Sequence, residues 1–469
     1  MANPYPWSYY LRNNIKLAYP VMLSQLGHIS VSVADSVMVG QIGALPLAAA
    51  SLGNSLFAVF MLFGIGVSYG ITPLVASAYG EQNAGKLLDL LRHGVVSNFL
   101  MGLFLFGLIV GVSPILYHLD QEADVVENAI PYLGIIGFSI VPLMVFQAFR
   151  QFTEGLHLTR QAMTISIIGN LFNIFLNYLL IYGKWGFPAL GLNGAAIATL
   201  VDRVLMAIAM GYFVFRYQKL RPYTIGFHLK NLSKAIFKRL LALGIPSGMQ
   251  FIFEVGAFAA AAIMIGWLGA NALAAHQIAL NLAGVSYMAA TGIAAAASIR
   301  VGFYLGQNDY VNMRMAGMAS FIMAMIFMTV CGITFVLGRN FFPSLYIDDA
   351  EVISLAAGML VVAAFFQISD GVQVVGLGVL RGLSDVKVPT LVTLIAYWVI
   401  ALPTGYVLGF VFDLGTIGVW IGLLFGLSIS AVANFTRFKG LSKRLRTQAQ
   451  EKTASVADNN QEAVAKPVA

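Results

Sequence analysis

The feature that most constrains this chain is a series of apolar segments, each long enough to cross a lipid bilayer. A helix needs about 20 apolar residues to cross ~30 Å of hydrocarbon, and runs of this length recur between charged, proline or glycine breaks. The predicted spans are 15–39, 49–78, 91–114, 128–150, 161–182, 191–215, 239–266, 276–301, 312–338, 353–380, 388–411 and 415–436. Alternating segments of the kind that build a membrane barrel are not seen. The sequence therefore predicts an all-α integral membrane protein with twelve transmembrane helices.

The composition agrees with this class. Hydrophobic residues make up 59% of the 469 residues and charged residues 10%, with a mean hydropathy of +0.81, whereas soluble proteins average about 25% charged residues. No removable signal peptide is visible near the N-terminus, so the first span is expected to be retained. Cys331 is the single cysteine, and redox chemistry is therefore not expected.

The basic residues fall mainly on one side of the predicted membrane. Of the 27 lysines and arginines, all but Lys184, Arg203 and Arg339 are assigned to the N-terminus, the even-numbered loops and the tail. The odd-numbered loops hold acids instead, such as Asp120, Asp348 and Asp413. By the positive-inside rule both termini are cytoplasmic. The net charge of +7 follows from this spread, so nucleic acid is not a predicted partner.

The two halves of the chain repeat each other. A shift of 226 residues aligns Pro20 with Pro246, Gly66 with Gly292 and Gly80 with Gly306. An even number of spans in each half makes the repeats parallel, related by an axis along the membrane normal, with substrate sites between them. The sequence thus predicts two six-helix lobes related by pseudo-twofold symmetry. The predicted domains are an N-terminal lobe (1–215), a cytoplasmic linker beside anionic membrane lipid (216–238), a C-terminal lobe (239–440) and a disordered cytoplasmic tail (441–469).

Three carboxyl groups are predicted inside the membrane with no obvious basic partner: Asp35, Glu254 and Asp370. A charge at the bilayer centre costs about 2.5 to 3.5 kcal/mol, so such residues are expected to face a protein cavity. A carboxyl group in a cavity can hold a proton near neutral pH, or shed it when a cation replaces it. The repeat favours function over a scaffold role, because Glu254 and Asp35 align with His28 and Ala261. A permanently satisfied, structural carboxyl remains the alternative.

Further polar and aromatic residues are candidates for a polar cavity that binds substrate. They are Gln25, Asn173, Asn177, Gln277, Asn281, Gln367 and Tyr287. In each asparagine or glutamine pair a spacing of four residues puts both amides on one helix face. Such amides can coordinate a cation or bond between helices, and both interpretations stay open. Aromatic rings could stack on organic cations.

One intramembrane base lies beside a fourth acid. Asp202 and Arg203 are adjacent, so on a helix they point about 100° apart and need not pair. Their role stays open. Arg203 is the only base predicted deep inside a span, since the other bases within the predicted spans lie at or near their ends.

Four long stretches carry a family resemblance. They are SVADSVMVGQIGALPLAAASLGNSLF, GNLFNIFLNYLLIYGKWGFPALGLNGAAIAT, FEVGAFAAAAIMIGWLGANALAAHQIALN and DGVQVVGLGVLRGLSDVKVPT. With them the chain resembles the multidrug and toxic compound extrusion (MATE) family, and within it the NorM-like bacterial subfamily, over about residues 10–440. The resemblance implies a V-shaped multidrug efflux antiporter of the bacterial inner membrane. Such a protein exports amphipathic, often cationic compounds in exchange for inward sodium ions or protons.

The resemblance also implies roles for single residues. Glu254 and Asp370 match the C-lobe acids implicated in cation binding, where transported sodium would be held, and Asp35 matches the N-lobe acid. Asn173 and Asn177 match polar positions of span 5, where some relatives carry an acid. That departure argues against a proton-driven mechanism centred on the N-lobe. No cofactor, resident metal or enzymatic activity is implied, and the protein is expected to act as a monomer.

Other classes of protein were weighed against the antiporter. A flippase for lipid-linked precursors would need a cationic cavity to hold pyrophosphate, and the predicted acids outnumber Arg203. A membrane-embedded enzyme would need a nucleophile with a base, or a metal cluster, and neither is visible. A channel would differ in having flux that does not saturate or depend on a counter-ion. Sodium and protons both fit as the coupling ion.

Overall fold

The structure, a computed structural model, describes residues 4–119, 121–230 and 232–465 and contains twelve long apolar helices in those ranges. Named α1 to α12, they are Trp7–Gly40, Ala44–Gly80, Ala84–His118, Ala123–Gly155, Thr159–Tyr182, Gly191–Arg216, Lys234–Gly266, Ala270–Gly306, Tyr310–Leu337, Ala350–Gly382, Lys387–Val411 and Gly415–Glu451. Each is long and apolar enough to cross a membrane. The predicted helical class and the number of spans are confirmed.

Most of the helices run beyond the predicted spans. At 1.5 Å per residue, α8 is about 55 Å long, whereas the hydrocarbon layer is about 30 Å thick. Some spans are interrupted: α2 has a turn at Tyr69 and Gly70, and α4 breaks at Ser139. Helix α11 contains π-helical turns at Ile395–Ala401 and Val407–Val411. Such wide turns often occur at functional sites.

The helices pack as two lobes, α1–α6 and α7–α12. The N-terminal half of α1 packs against the second lobe, and the N-terminal half of α7 packs against the first. Tyr10, Leu17 and Ala18 of α1 are buried in an apolar cluster formed mainly by α8, α9 and α10 of the second lobe. Reciprocally, Leu240 and Leu243 of α7 are buried in a cluster of the first lobe. The predicted pseudo-twofold relation between the lobes is therefore visible in the packing of the cores.

The connection between the lobes and the C-terminal segment are both partly helical. Between α6 and α7 lie a 3-10 turn, Gln218–Leu220, and a short helix, Arg221–Thr224. The helix that begins at Gly415 continues to Ala465, which does not match the disorder predicted from residue 441. Leu441 and Leu445, spaced four residues apart, pack against the second-lobe cluster and extend the helix. Residues 466–469 lie outside the described residues.

Candidate functional site

A cavity of about 580 Å³ lies between the two lobes. It is lined by α1, α2, α4, α5 and α6 of the first lobe and by α7, α8 and α10 of the second. Most of its wall is apolar and aromatic, with Phe57, Phe146, Phe251 and Phe258 among the lining residues. A mostly apolar wall with a few polar groups is the usual form of a small-molecule site.

In the first lobe, an asparagine orients the predicted acid. The side-chain amide of Asn177 donates one hydrogen bond to Asp35 Oδ1 at 2.5 Å and another to Asn173 Oδ1 at 3.1 Å. Asn173 in turn donates to Thr199 Oγ1 at 3.4 Å. Since Asn173 and Asn177 are one helical turn apart on α5, both amides face α1 together. Asp35 therefore belongs to a hydrogen-bonded network of neutral groups.

In the second lobe, the two predicted acids face the same cavity. Glu254 of α7 and Asp370 of α10 both line it, and each is close enough to feel the charge of the other. Tyr287 lines the cavity beside these acids. Tyr397 belongs to the π-helical turn of α11, and its hydroxyl is buried without a hydrogen-bond partner in the described structure.

The other predicted site residues divide between the cavity wall and its surroundings. The side chains that line the cavity are Gln25, Asp35, Asn173, Glu254, Tyr287 and Asp370. Asn177 is buried behind Asp35. Gln367 is fully buried and accepts a hydrogen bond from the Ser286 hydroxyl at 2.8 Å. Gln277 and Asn281 bond to each other at 3.2 Å on an exposed face of α8 and do not line the cavity.

Asp202 and Arg203 both line the cavity but form no ion pair among the described residues. The Arg203 guanidinium donates to Ser139 Oγ at 2.6 Å and lies 5.0 Å from the centre of the Phe57 ring. Asp202 Oδ1 is buried without a hydrogen-bond donor in the described structure. The geometry agrees with the expectation that neighbours on one helix need not pair.

Sequence reasoning missed a buried ion pair on α4 and two further buried arginines, Arg300 of α8 and Arg381 of α10. Arg150 Nε lies 2.7 Å from Glu154 Oε1, and the two side chains are only 5% and 4% exposed. Arg381 is 9% exposed. The prediction that Arg203 is the only internal base is therefore wrong. Its cause is that charged residues were used to end the predicted spans, at residues 150 and 380, although both helices continue. The spacing of four residues between Arg150 and Glu154 was the available signal.

Close helix crossings join the lobes at the end of the spans that carries the basic loops. A methyl group placed on Gly80 would lie 2.1 Å from the carbonyl oxygen of Phe303, and one on Gly306 would lie 2.0 Å from that of Ser77. These two contacts are related by the repeat shift of 226 residues. Asn14 of α1 also donates to Ser320 Oγ at 2.8 Å across the lobes. The cavity is thus closed at its basic end.

A histidine outside the spans sits in this closed contact. His157, between α4 and α5, packs its ring against Tyr79 of its own lobe, at 5.5 Å, and Phe303 of the other, at 4.8 Å between ring centres. Burial lowers the pKa of His157 to about 3, and the positive charge of Arg300 adds to this effect. The contact between the lobes therefore favours a neutral imidazole.

Comparison with known proteins assigns the chain to a family. The family model MatE matches residues 20–179 and 246–407, which correspond to the two lobes. The multidrug resistance protein NorM of Photobacterium profundum is 34% identical over 426 residues, covering 90% of this chain and 93% of that protein. NorM of Vibrio parahaemolyticus is 35% identical over 436 residues, covering 92% and 95%.

Solved structures show the same fold. A crystal structure of MATE in the bent conformation superposes with a TM-score of 0.86 at 18% identity, covering 96% of this chain and 100% of that one. Family members of this kind are transporters and not enzymes. The chain belongs to the multidrug and toxic compound extrusion (MATE) family, as a NorM-like multidrug efflux transporter with twelve transmembrane helices.

Proposed function

We propose that the protein exports amphipathic, cationic organic compounds in exchange for inward sodium ions or protons. The observation that carries this proposal is the cavity of about 580 Å³ with acids from both lobes in an aromatic wall. Its described lining includes the carboxyl groups of Asp35, Asp202, Glu254 and Asp370 but only two guanidinium groups, those of Arg150 and Arg203. Aromatic faces and carboxylates both attract organic cations.

Exchange requires that the ion and the drug compete for the same groups. We infer that the coupling ion binds at Asp35, Glu254 or Asp370, with transported sodium held at Glu254 and Asp370. Gln25, Asn173 and Tyr287 line the same cavity and are proposed to contact the substrate. Asn177 and Gln367 are proposed to act from buried positions behind the cavity wall, and Gln277 and Asn281 from the exposed surface of α8. An ion can drive the cycle only if it binds the two conformations with different affinity.

The proposed direction of transport depends on the orientation in the membrane. We place both termini in the cytoplasm of a bacterial cell, with the chain in the inner membrane and acting as a monomer. The excess of basic residues in the N-terminus and even-numbered loops supports this orientation. The basic end, where the lobes cross, then faces the cytoplasm, and the cavity is closed on that side. Inward opening requires the crossings at Gly80 and Gly306 to separate.

Efflux from proteoliposomes tests the proposal. A fluorescent organic cation is loaded into the vesicles, and a sodium gradient and a proton gradient are imposed separately. Wild type should respond to at least one gradient, while Glu254→Gln and Asp370→Asn should lose the response and Asp35→Asn should lower the rate of efflux. Asp348→Asn, in an exposed loop, is the control and should behave like wild type.

Two outcomes would contradict the proposal. Wild-type efflux in all three cavity variants would show that these acids do not couple transport. A wild type that ignores both gradients but moves a lipid-linked pyrophosphate between leaflets would identify a flippase instead, for which Arg150 and Arg203 would supply the cationic groups.

A further inference from the structure

Beneath the cavity, toward the closed basic end, lies a smaller chamber of about 50 Å³, called the axis chamber here. Tyr69, Arg150, Glu254 and Tyr287 line both spaces, so the chamber continues the cavity toward the crossing of the lobes. An ion that leaves Glu254 for the basic end has to pass through it.

The axis chamber lies on the pseudo-twofold axis. Thr72 of its wall is the repeat equivalent of Ser298, which also lines it. In the later spans the repeat shift becomes 227 residues, which aligns Gly155 with Gly382, so Glu154 is the equivalent of Arg381, and both line the chamber. One repeat thus places an acid where the other places a base. This difference between the repeats contrasts with the helix crossings, where both repeats carry a glycine, at Gly80 and Gly306.

Two acids, Glu154 and Glu254, and two bases, Arg150 and Arg381, line the axis chamber, but only one ion pair forms among them in the described structure. Arg150 is paired with Glu154 at 2.7 Å. Arg381 has no ion pair or hydrogen bond among the described residues, and its Nε is buried without an acceptor. Its guanidinium lies 4.9 Å from the centre of the Tyr69 ring. A buried charge without a partner destabilises a protein, so its presence on the axis calls for a function.

We propose that Arg381 is an electrostatic barrier that stops cations from leaking through the axis chamber while the basic end is closed. The inference rests on the proposed exchange function, because an antiporter loses its driving gradient if the coupling ion crosses without substrate. An arginine facing a narrow passage excludes cations by repulsion, which is strong where water is scarce. Arg381 acts on the passing ion and takes no part in binding the substrate.

Uncoupled ion entry tests this role. Vesicles without substrate are given a membrane potential, negative inside, by a potassium gradient and the ionophore valinomycin. Fluorescent dyes inside the vesicles then report the entry of sodium ions and protons. Arg381→Gln should raise the leak of the coupling cation about tenfold or more, whereas Arg381→Lys, which keeps the charge, should stay near the wild-type leak. Arg444→Gln, which removes an exposed arginine, should have no effect.

A second variant separates charge from packing. Glu154→Gln removes a negative charge from the same chamber, so it should not raise the cation leak. An equal leak in Arg381→Gln, Arg381→Lys and Glu154→Gln, or entry of a neutral solute of similar size, would show loosened packing and overturn the proposal. An unchanged leak in Arg381→Gln would also overturn it. If wild type exchanges substrate for an ion and only these leak results fail, the proposed function stands without this inference.

Discussion

The two lobes share one helix arrangement but hold their carboxyl groups in different surroundings. In the first lobe, Asp35 accepts a hydrogen bond from Asn177, which also bonds to Asn173. In the second, Glu254 shares the cavity wall with Tyr287 and lies within electrostatic reach of Asp370. Two neighbouring carboxylates repel each other, and a bound cation or proton relieves that repulsion. The first lobe also places two acids on the wall, Asp35 and Asp202, but there Arg203 lines the same wall and its positive charge offsets their repulsion.

This difference suggests a division of labour between the lobes. We expect the second lobe to bind the coupling ion and the first lobe to contribute mainly to substrate binding. The repeat explains how this arises: the helices are duplicated, but the polar residues on them are not. His28 and Ala261 occupy the positions equivalent to Glu254 and Asp35.

The largest effect is expected from the second-lobe acids. Glu254→Gln and Asp370→Asn should each reduce ion-driven efflux about 100-fold. Each variant replaces one carboxylate with a neutral amide, so the coupling ion is left with only one of the two acids. Asp35→Asn should reduce substrate affinity more than ion dependence. Initial efflux rates at varied ion and substrate concentrations measure both. If Asp35→Asn shifts ion dependence more than Glu254→Gln does, the division of labour is reversed.

The next largest effect is expected at the symmetric crossings. Gly80→Ala and Gly306→Ala place a methyl group about where a carbonyl oxygen lies, and overpacking of this kind costs about 1 to 3 kcal/mol. Both should shift the lobes apart at the basic end and slow transport about 30-fold, which corresponds to about 2 kcal/mol. Spin-label distances across that end measure the shift. Gly107→Ala, at a glycine with no neighbour within 4 Å, serves as the control. Gly186 also lies in open space, but its positive φ would strain an alanine, so it is unsuitable.

Equal responses at the two crossings would support the pseudo-twofold mechanism. A shift caused by Gly80→Ala but not by Gly306→Ala would mean that the two equivalent contacts do not open together.

A smaller effect is expected from the asparagine that orients Asp35. Asn177→Ala removes a hydrogen bond to a carboxylate worth about 1.5 to 3 kcal/mol, and should weaken substrate binding about tenfold. In the Asp35→Asn background the same change should cost little, because the interaction is already altered. Equilibrium binding of a fluorescent cation tests this, and additive losses would argue that Asn177 acts independently of Asp35.

The smallest effect is expected from pH at the closed basic end. His157 has a pKa of about 3 in the contact and should regain an ordinary value near 6.5 when the lobes separate. The stabilisation of the closed contact by the neutral His157 ring is then fully present above about pH 6.5 and is lost as the pH falls toward 3. At pH 5.5 the population with separated lobes should rise up to about tenfold. His157→Gln should flatten this response in spin-label distances, and an unchanged pH profile would exclude His157 as its source.

The sequence predicts the periodic features of this protein better than its tertiary contacts. Span number, the repeat and the acids at the cavity follow from apolar length and aligned glycines, which are local signals. The bond between Asn177 and Asp35 joins α5 to α1, and nothing in the local sequence indicates that pairing. The polar pair Gln277 and Asn281 had the correct helical spacing, but its face lies away from the cavity.

Two errors share one physical cause. The sequence predicts span ends at Arg150 and before Arg381 because an isolated charge in a bilayer is costly. In the structure, Arg150 is paired with Glu154 and Arg381 stacks on Tyr69, so protein contacts replace the bilayer. Charges at the end of a long apolar run can therefore lie on the transport axis.

Coupled exchange is tested most directly by running it in reverse. Vesicles carrying wild type are given only a gradient of the organic cation, with sodium and pH equal on both sides, and ion movement is recorded. The proposed mechanism predicts uphill movement of sodium or protons against the substrate flow, absent in Glu254→Gln. Substrate flow in wild type with no counter-movement of either ion would contradict antiport.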